Sequence, residues 1–255
     1  MNFENKTVIV TGSTGGLGRS IALLFGKRGA NVVVSGRNGE EGEITVARIK
    51  ESSQGRALFV QCDISLPQDV ARLMERTLSE FGRLDFAVNN AGVSGELTPI
   101  AETSLDSWNR VVSVNLTGTF LCLKQEIQAM LKSGGGAIVN VSSALGLRGK
   151  EKLAPYVATK HGIVGLTKTA ALEYGKQGIR VNALCPGGIY TQMDEAFYAG
   201  VPDPEKVRSE RMSSYALGRM ANVDEIAQAA LWLCSDEASF VTGAAIPVDG
   251  GKTAK

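Results

Sequence analysis

The chain has 255 residues, enough for an α/β domain with a sizeable core that needs no disulfides or metals to hold it. Its 27 Lys+Arg against 26 Asp+Glu leave a net charge of +1, with no basic excess to attract nucleic acid and no acidic excess to favour disorder. Hydrophobic residues are 44% and charged residues 21% of the total, and the 30 glycines keep no three-residue period, so a collagen-like chain is excluded.

In chain order, short apolar, β-branched runs alternate with longer amphipathic ones. Residues 6–10, 31–35, 57–61, 84–88, 137–141, 179–184 and 244–248 read as strands, near-continuously apolar as in sheets covered on both faces. Residues 17–28, 40–52, 68–81, 105–131, 155–176 and 223–234 read as helices. Pro155 suits a first helical turn, and Asn222 before Asp224 and Glu225 is a cap followed by early acids. This alternation predicts an α/β fold, a parallel sheet of about seven strands with helices on both faces. No composition shift marks a linker, so one domain over 1–255 is expected. Residues 187–216 are irregular, with Pro202, Pro204 and a weak helical pattern near 204–212; they read as a substrate loop or a tolerated insertion.

The longest stretches without Asp, Glu, Lys or Arg have 13 residues, 111–123 and 181–193, against the roughly 20 that a membrane span needs. The start, MNFENKTVIV, has no basic region followed by a long apolar run, so a secretory signal is not expected. Cys62, Cys122, Cys185 and Cys234 are widely spaced and form no CxxC, as buried free thiols would be. The single histidine, His161, disfavours a His-rich metal site. These features predict a cytoplasmic protein with no membrane partner.

The first strand runs into Thr11-Gly12-Ser13-Thr14-Gly15-Gly16-Leu17-Gly18 and then a helix. A pyrophosphate needs this order: glycines let the backbone approach, and the helix N-terminus presents unpaired N–H groups at a positive dipole end. The second strand ends in Gly36-Arg37-Asn38. An NAD site usually has an acid there for the ribose hydroxyls, whereas Arg37 could meet the 2′-phosphate of NADP or simply be solvated. Asp63, before Ile64, could accept from an adenine amino group or cap the next turn. Asn89-Asn90-Ala91-Gly92 follows the fourth strand at the same sheet edge, as cofactor lining or as a plain turn.

Tyr156 and Lys160 are four apart on a predicted helix and share a face. An ammonium beside a phenol favours the phenolate, so Lys160 is expected to lower the Tyr156 pKa and ready it for acid–base work on a carbonyl/alcohol pair. Ser143 closes the fifth strand, where a hydroxyl could bond the substrate oxygen. Asn115 lies in an uncharged run, where a polar side chain needs a partner or a task.

Together these segments resemble the short-chain dehydrogenase/reductase family over nearly the whole chain. TGxxxGxG matches Thr11–Gly18, NNAG matches Asn89–Gly92, and the active-site Tyr-x-x-x-Lys matches Tyr156 and Lys160, with Ser143 thirteen residues upstream. The family's helical asparagine matches Asn115, its PG-x-I-x-T segment matches Pro186, Gly187, Ile189 and Thr191, and Val248-Asp249-Gly250-Gly251 fits its ending. The resemblance implies a single Rossmann-type doubly wound domain and a hydride exchange between NAD(P) and a carbonyl or secondary alcohol, with no metal. Tyr156 would be the acid/base, Ser143 would polarise the substrate oxygen, Lys160 would bind the nicotinamide ribose, and Asn115 would hold a relay water. Ile189 and Thr191 would face the nicotinamide. Gly12, Ser13, Thr14, Gly16, Leu17, Gly18, Arg37, Asn38, Asp63, Ile64, Asn90, Ala91, Gly92, Pro186 and Gly187 complete the expected cofactor set. NADP(H) is favoured and NAD(H) possible. One departure is the lack of a basic residue in the glycine loop, which leaves the NADP preference to Arg37.

Substrate contacts are expected from Ser143, Leu145 and Tyr156, with Leu147 and Leu153 as an apolar wall and residues 94–97 opposite. Arg148, Lys150 and Lys152 could meet an anionic substrate or form a solvated loop, with Glu151 interrupting them. The resemblance is nearest to 3-oxoacyl-carrier-protein reductases and glucose dehydrogenases, and it implies a homotetramer. A non-catalytic nucleotide sensor is the competing class, disfavoured because all four active-site residues are present. Gly251-Lys252-Thr253 mimics the end of a P-loop, but position 246 is Ile246 and no helix can follow.

Overall fold

The computed structural model describes residues 1–52, 56–190 and 203–254. Seven strands form one parallel sheet: β1 (Thr7–Thr11), β2 (Asn31–Gly36), β3 (Ala57–Gln61), β4 (Phe86–Asn89), β5 (Gly136–Val141), β6 (Ile179–Pro186) and β7 (Ala245–Val248). Their order is β3-β2-β1-β4-β5-β6-β7, and every pairing is parallel. All seven expected strands are present, displaced by no more than two residues at any end.

The strands are apolar on both faces because helices cover both. Val8, Val10, Val32 and Val34 pack with α1 (Gly16–Lys27), α2 (Gly39–Ser52) and α8 (Val223–Cys234) through Ile21, Phe25, Ile49, Ile226 and Leu231. The alternate residues Ile9, Val33, Ala87, Ile138 and Val181 face the other way. They pack with α3 (Pro67–Phe81), α5 (Gly118–Ser133) and α6 (Ala154–Tyr174) through Leu73, Leu123, Met130 and Ala170. Full burial of a Val, Leu or Ile side chain contributes roughly 1.5–3 kcal/mol, so these two layers supply most of the stability. The four cysteines are buried free thiols, as expected.

Two helical expectations change. The run 105–131 is not one helix: α4 (Leu105–Val111) passes through a π-helical turn at Val112–Thr117 before α5. Wider turns of this kind occur where a side chain is needed off the regular helical register, and Asn115 lies within this one. The weak pattern near 204–212 is a complete helix, α7 (Pro204–Ser213), with Pro204 in its first turn and the Asp203 carboxylate accepting from Lys206 N–H at 3.0 Å. No helix among the described residues is long and apolar enough to cross a membrane.

The strand order reverses at β1 and β4. Loops leaving the carboxyl ends of those two strands diverge and leave a crevice, where open sheets of this kind bind ligands.

Candidate active site

The floor of the crevice is the glycine loop after β1. α1 starts at Gly16 with no side-chain cap and no acid in its first turn, so its leading N–H groups remain available. Gly18 must be glycine: a Cβ there would lie 2.2 Å from Gly12 O and 2.6 Å from Asn90 Nδ2. The β4 loop is tied to this floor. Thr11 Oγ1 accepts from Asn90 N–H (3.0 Å) and Ala91 N–H (3.2 Å), while Asn90 Nδ2 donates to Thr11 O (3.0 Å) and Gly12 O (3.2 Å). A close backbone cradle at a bare helix N-terminus suits a diphosphate.

Two cavities continue from this cradle. One, of about 420 Å³, is lined by Thr14, Gly36, Arg37, Asn38, Asp63, Ile64 and the Asn90–Gly92 loop. Asp63 caps the next turn, its Oδ1 accepting from Ser65 Oγ (2.6 Å) and Ser65 N–H (3.0 Å), and it also lines the cavity. The Ser65 bonds hold its carboxyl below the usual range against a smaller opposing effect of burial, and the Arg37 charge adds to the lowering. At Gly36 a Cβ would lie 2.7 Å from Thr14 Cγ2, so the place of an acidic side chain is already crowded. Ser13 does not line the cavity. Its hydroxyl donates to Val10 O (2.6 Å) and accepts from Ser35 N–H (3.0 Å), stitching the loop to β1 and β2.

The other cavity, about 580 Å³, holds the chemistry: Ser142, Ser143, Tyr156, Lys160, Pro186, Gly187, Ile189 and Leu17 line it, with Ser94–Glu96 and Arg110 opposite. Lys160 is 4% exposed, and its Nζ donates to Val141 O at 2.8 Å. Nζ lies 5.4 Å from the Tyr156 ring centroid. Ser142 Oγ donates to Lys160 O (2.8 Å), clamping the start of α6 to the end of β5. Ser143 Oγ accepts from Leu145 N–H at 3.1 Å. Asn115 is fully buried: its Oδ1 accepts from Val93 N–H (2.8 Å), and its Nδ2 donates to Val93 O (2.8 Å) and Thr159 Oγ1 (3.3 Å). The Val93 bonds cross to the loop after β4 and the Thr159 bond to α6, so none is internal to the helix.

The electrostatics correct one expectation. Burial pushes the Tyr156 phenol above its ordinary value, and the Ser143 side chain beside it pulls it back only in part. Burial also lowers Lys160 to about 8. The Tyr156 phenol is therefore raised, not lowered, because desolvation of the phenolate outweighs the Ser143 hydrogen bond.

Four other expected contacts differ. Leu145 is absent from the lining and contributes its backbone N–H to Ser143; Leu153, at the N-cap of α6, lines neither cavity; Leu147 faces another cavity; Leu97 is 71% exposed and lines neither part of the crevice. Thr191 lies outside the described residues. Sequence reasoning missed Val114 and Arg110. Val114 reaches the cavity through the π turn, which a regular helical period hides, and Arg110 carries the signature of an ordinary solvated helix residue.

Comparison with known proteins agrees with this geometry. A family model described as enoyl-(acyl carrier protein) reductase matches residues 12–253. The chain is 44% identical to a 2,5-dichloro-2,5-cyclohexadiene-1,4-diol dehydrogenase of Sphingobium indicum, over 99% of both chains. The chain belongs to the short-chain dehydrogenase/reductase family. It is also 41% identical to a cyclohexanol dehydrogenase of an Acinetobacter species, over 99% of this chain and 97% of that one. The crystal structure of an NAD⁺-bound xylitol dehydrogenase superposes with a TM-score of 0.92 at 31% identity, covering 98% of this chain and 100% of that one. The fold is therefore the Rossmann-like one of this family, and the chain is an oxidoreductase of the CH–OH class that uses a nicotinamide dinucleotide.

Proposed function

We propose that the chain is a single catalytic domain that interconverts a secondary alcohol and its ketone, with NADP(H) preferred and Tyr156 as acid/base. The observation that carries this is the meeting of Ser143, Tyr156 and Lys160 in one cavity that opens beside the glycine loop. The dinucleotide, when bound, supplies or receives the hydride. The α1 N-terminus and the Asn90–Gly92 loop would hold its diphosphate, and Lys160 its nicotinamide ribose.

The residues divide the remaining work. A raised Tyr156 pKa keeps the phenol protonated near neutrality, ready to deliver its proton to a carbonyl oxygen. Ser143, oriented by Leu145 N–H, hydrogen-bonds the same oxygen and polarises it. Lys160, fixed by Val141 O and half-titrated at about 8, sits where a proton relay behind Tyr156 would begin. Asn115 pins the Val93 backbone beside it, and its place next to Lys160 supports the relay-water role.

The NADP preference is supported by crowding at Gly36 and by Arg37 lining the adenosine side. The names of the relatives support a cyclic secondary alcohol as substrate, ahead of 3-oxoacyl thioesters or sugars. A groove between α5 and α6, lined by Phe120, Ile127, Leu131 and Leu166, supports a homotetramer. Residues 187–216 are read as the substrate loop.

The test is absorbance at the nicotinamide band with purified protein and a panel of cyclic alcohols, 3-oxoacyl thioesters and sugars. Turnover lost in Tyr156→Phe with dinucleotide binding retained supports the reading. Comparable turnover in that variant would overturn it, and retained binding with no turnover in the wild type would favour a sensor.

A further inference from the structure

A separate cavity of about 840 Å³ lies between the loop after Ser143, α7 and the turn that follows β7. It shares no lining residue with the two cavities of the crevice. Arg148, Lys150, Arg211 and Lys252 face it, against one carboxylate, Glu210. Of the basic run in the sequence, Lys152 is left out, and Lys252 arrives from about a hundred residues away along the chain.

Lys150 lies 3.8 Å from the Glu151 carboxylate, whereas Lys252 is held by neutral groups. Lys252 Nζ donates to Ser214 Oγ at 2.7 Å and lies 4.2 Å from the Tyr215 ring centroid. Arg148 Nε is buried with no hydrogen-bond partner, and among the described residues no carboxylate lies within ion-pair distance of Arg148 or Lys252. Burial lowers the Lys252 pKa, and repulsion from Arg148, Arg211 and Lys150 adds to this, with Asp249 opposing. Buried donors are ordinarily satisfied, and the two like charges Arg148 and Lys252, with no carboxylate of the described residues within ion-pair distance of either, are a liability unless a ligand supplies a counter-charge.

We propose that this cavity is an anion site that takes the phosphate group of a small phosphorylated organic molecule. Several cations match the charge of a phosphate better than that of one carboxylate, and a guanidinium presents forked donors to its oxygens. Leu147, Val207 and Pro247 line the same space and suit the apolar body of such a ligand. Arg148 and Lys150 follow Ser143 in one loop, so an occupant would join that loop to α7.

The test is calorimetric titration of inorganic phosphate and phenyl phosphate into the full chain at constant ionic strength, with saturating dinucleotide filling its own phosphate subsites. Saturable binding is expected, tighter for phenyl phosphate, and weakened at least about tenfold in Lys252→Met and in Arg148→Gln, the loss of one charge-assisted bond. Lys252→Arg should retain it. Melting temperature and dinucleotide affinity check that each variant is folded, and either variant alone suffices. No saturable binding in the wild type, wild-type affinity in both variants, or binding seen only without dinucleotide overturns the proposal. A change of oligomeric state in the variants, with no phosphate binding, would assign the cavity to contact between copies and equally overturn it.

Discussion

Glu126→Gln probes the polar network buried between the sheet and α5. The carboxyl is 1% exposed and accepts from Asn89 Nδ2 at 2.8 Å. Asn89 Nδ2 also donates to Asn140 Oδ1 (3.0 Å), and Asn140 Nδ2 donates to Thr167 Oγ1 (3.0 Å). No cation among the described residues pairs with Glu126, so burial raises it from 4.5 to about 7, the Asn89 bond opposing only in part. Between those values the folded protein keeps a proton that the unfolded chain has released, so stability falls as pH rises through this window and is level above it. At 1.36 kcal/mol per pKa unit, the loss is about 3 kcal/mol. Glutamine keeps the shape and the acceptor but never ionises. Urea unfolding at fixed protein concentration should show wild type and variant nearly equal below pH 4.5. The variant should then gain up to about 3 kcal/mol by pH 8. A difference constant between pH 5 and pH 8, or a variant less stable at pH 8, would refute the reasoning.

Other outcomes follow from the same geometry. Arg37→Ala should weaken NADPH binding by about 10- to 150-fold while leaving NADH nearly unchanged, read by nucleotide fluorescence; equal losses would remove Arg37 from cofactor choice. Asp85 meets Thr7 N–H (2.9 Å), Arg83 and Lys6, and although burial alone would raise its carboxyl, these partners hold it below the usual range. Its contribution is therefore full above the unfolded carboxylate pKa and lost as pH falls through the folded one. Asp85→Asn should cost about 1–2 kcal/mol at pH 7, discounted because Arg83 and Lys6 are nearly half exposed, and almost nothing in strong acid. A penalty that does not shrink on acidification would contradict this. Asn115→Ala removes both bonds to Val93 and should lower kcat and raise the dinucleotide KM together, checked by steady-state kinetics; unchanged constants would reduce Asn115 to a packing residue.

The local features were legible because neighbours along the chain decide them. Seven apolar runs mark strands that water cannot reach from either face, and a glycine loop between strand and helix marks a phosphate cradle. Tyr156 and Lys160 share a face because a helix turns every 3.6 residues, whatever surrounds it. The tertiary structure decided what depends on segments far apart. It opened the helix at Asn115 into a π turn to meet Val93 and turned the Ser13 hydroxyl into the sheet. It also brought Lys252 to Arg148. Above all it set the proton affinities, with Tyr156 raised, Lys160 near 8 and Glu126 near 7. A residue's identity fixes its charge in water, but the free energy of that charge in the protein depends on the solvent it loses and the partners it gains, and both are supplied by the packed fold.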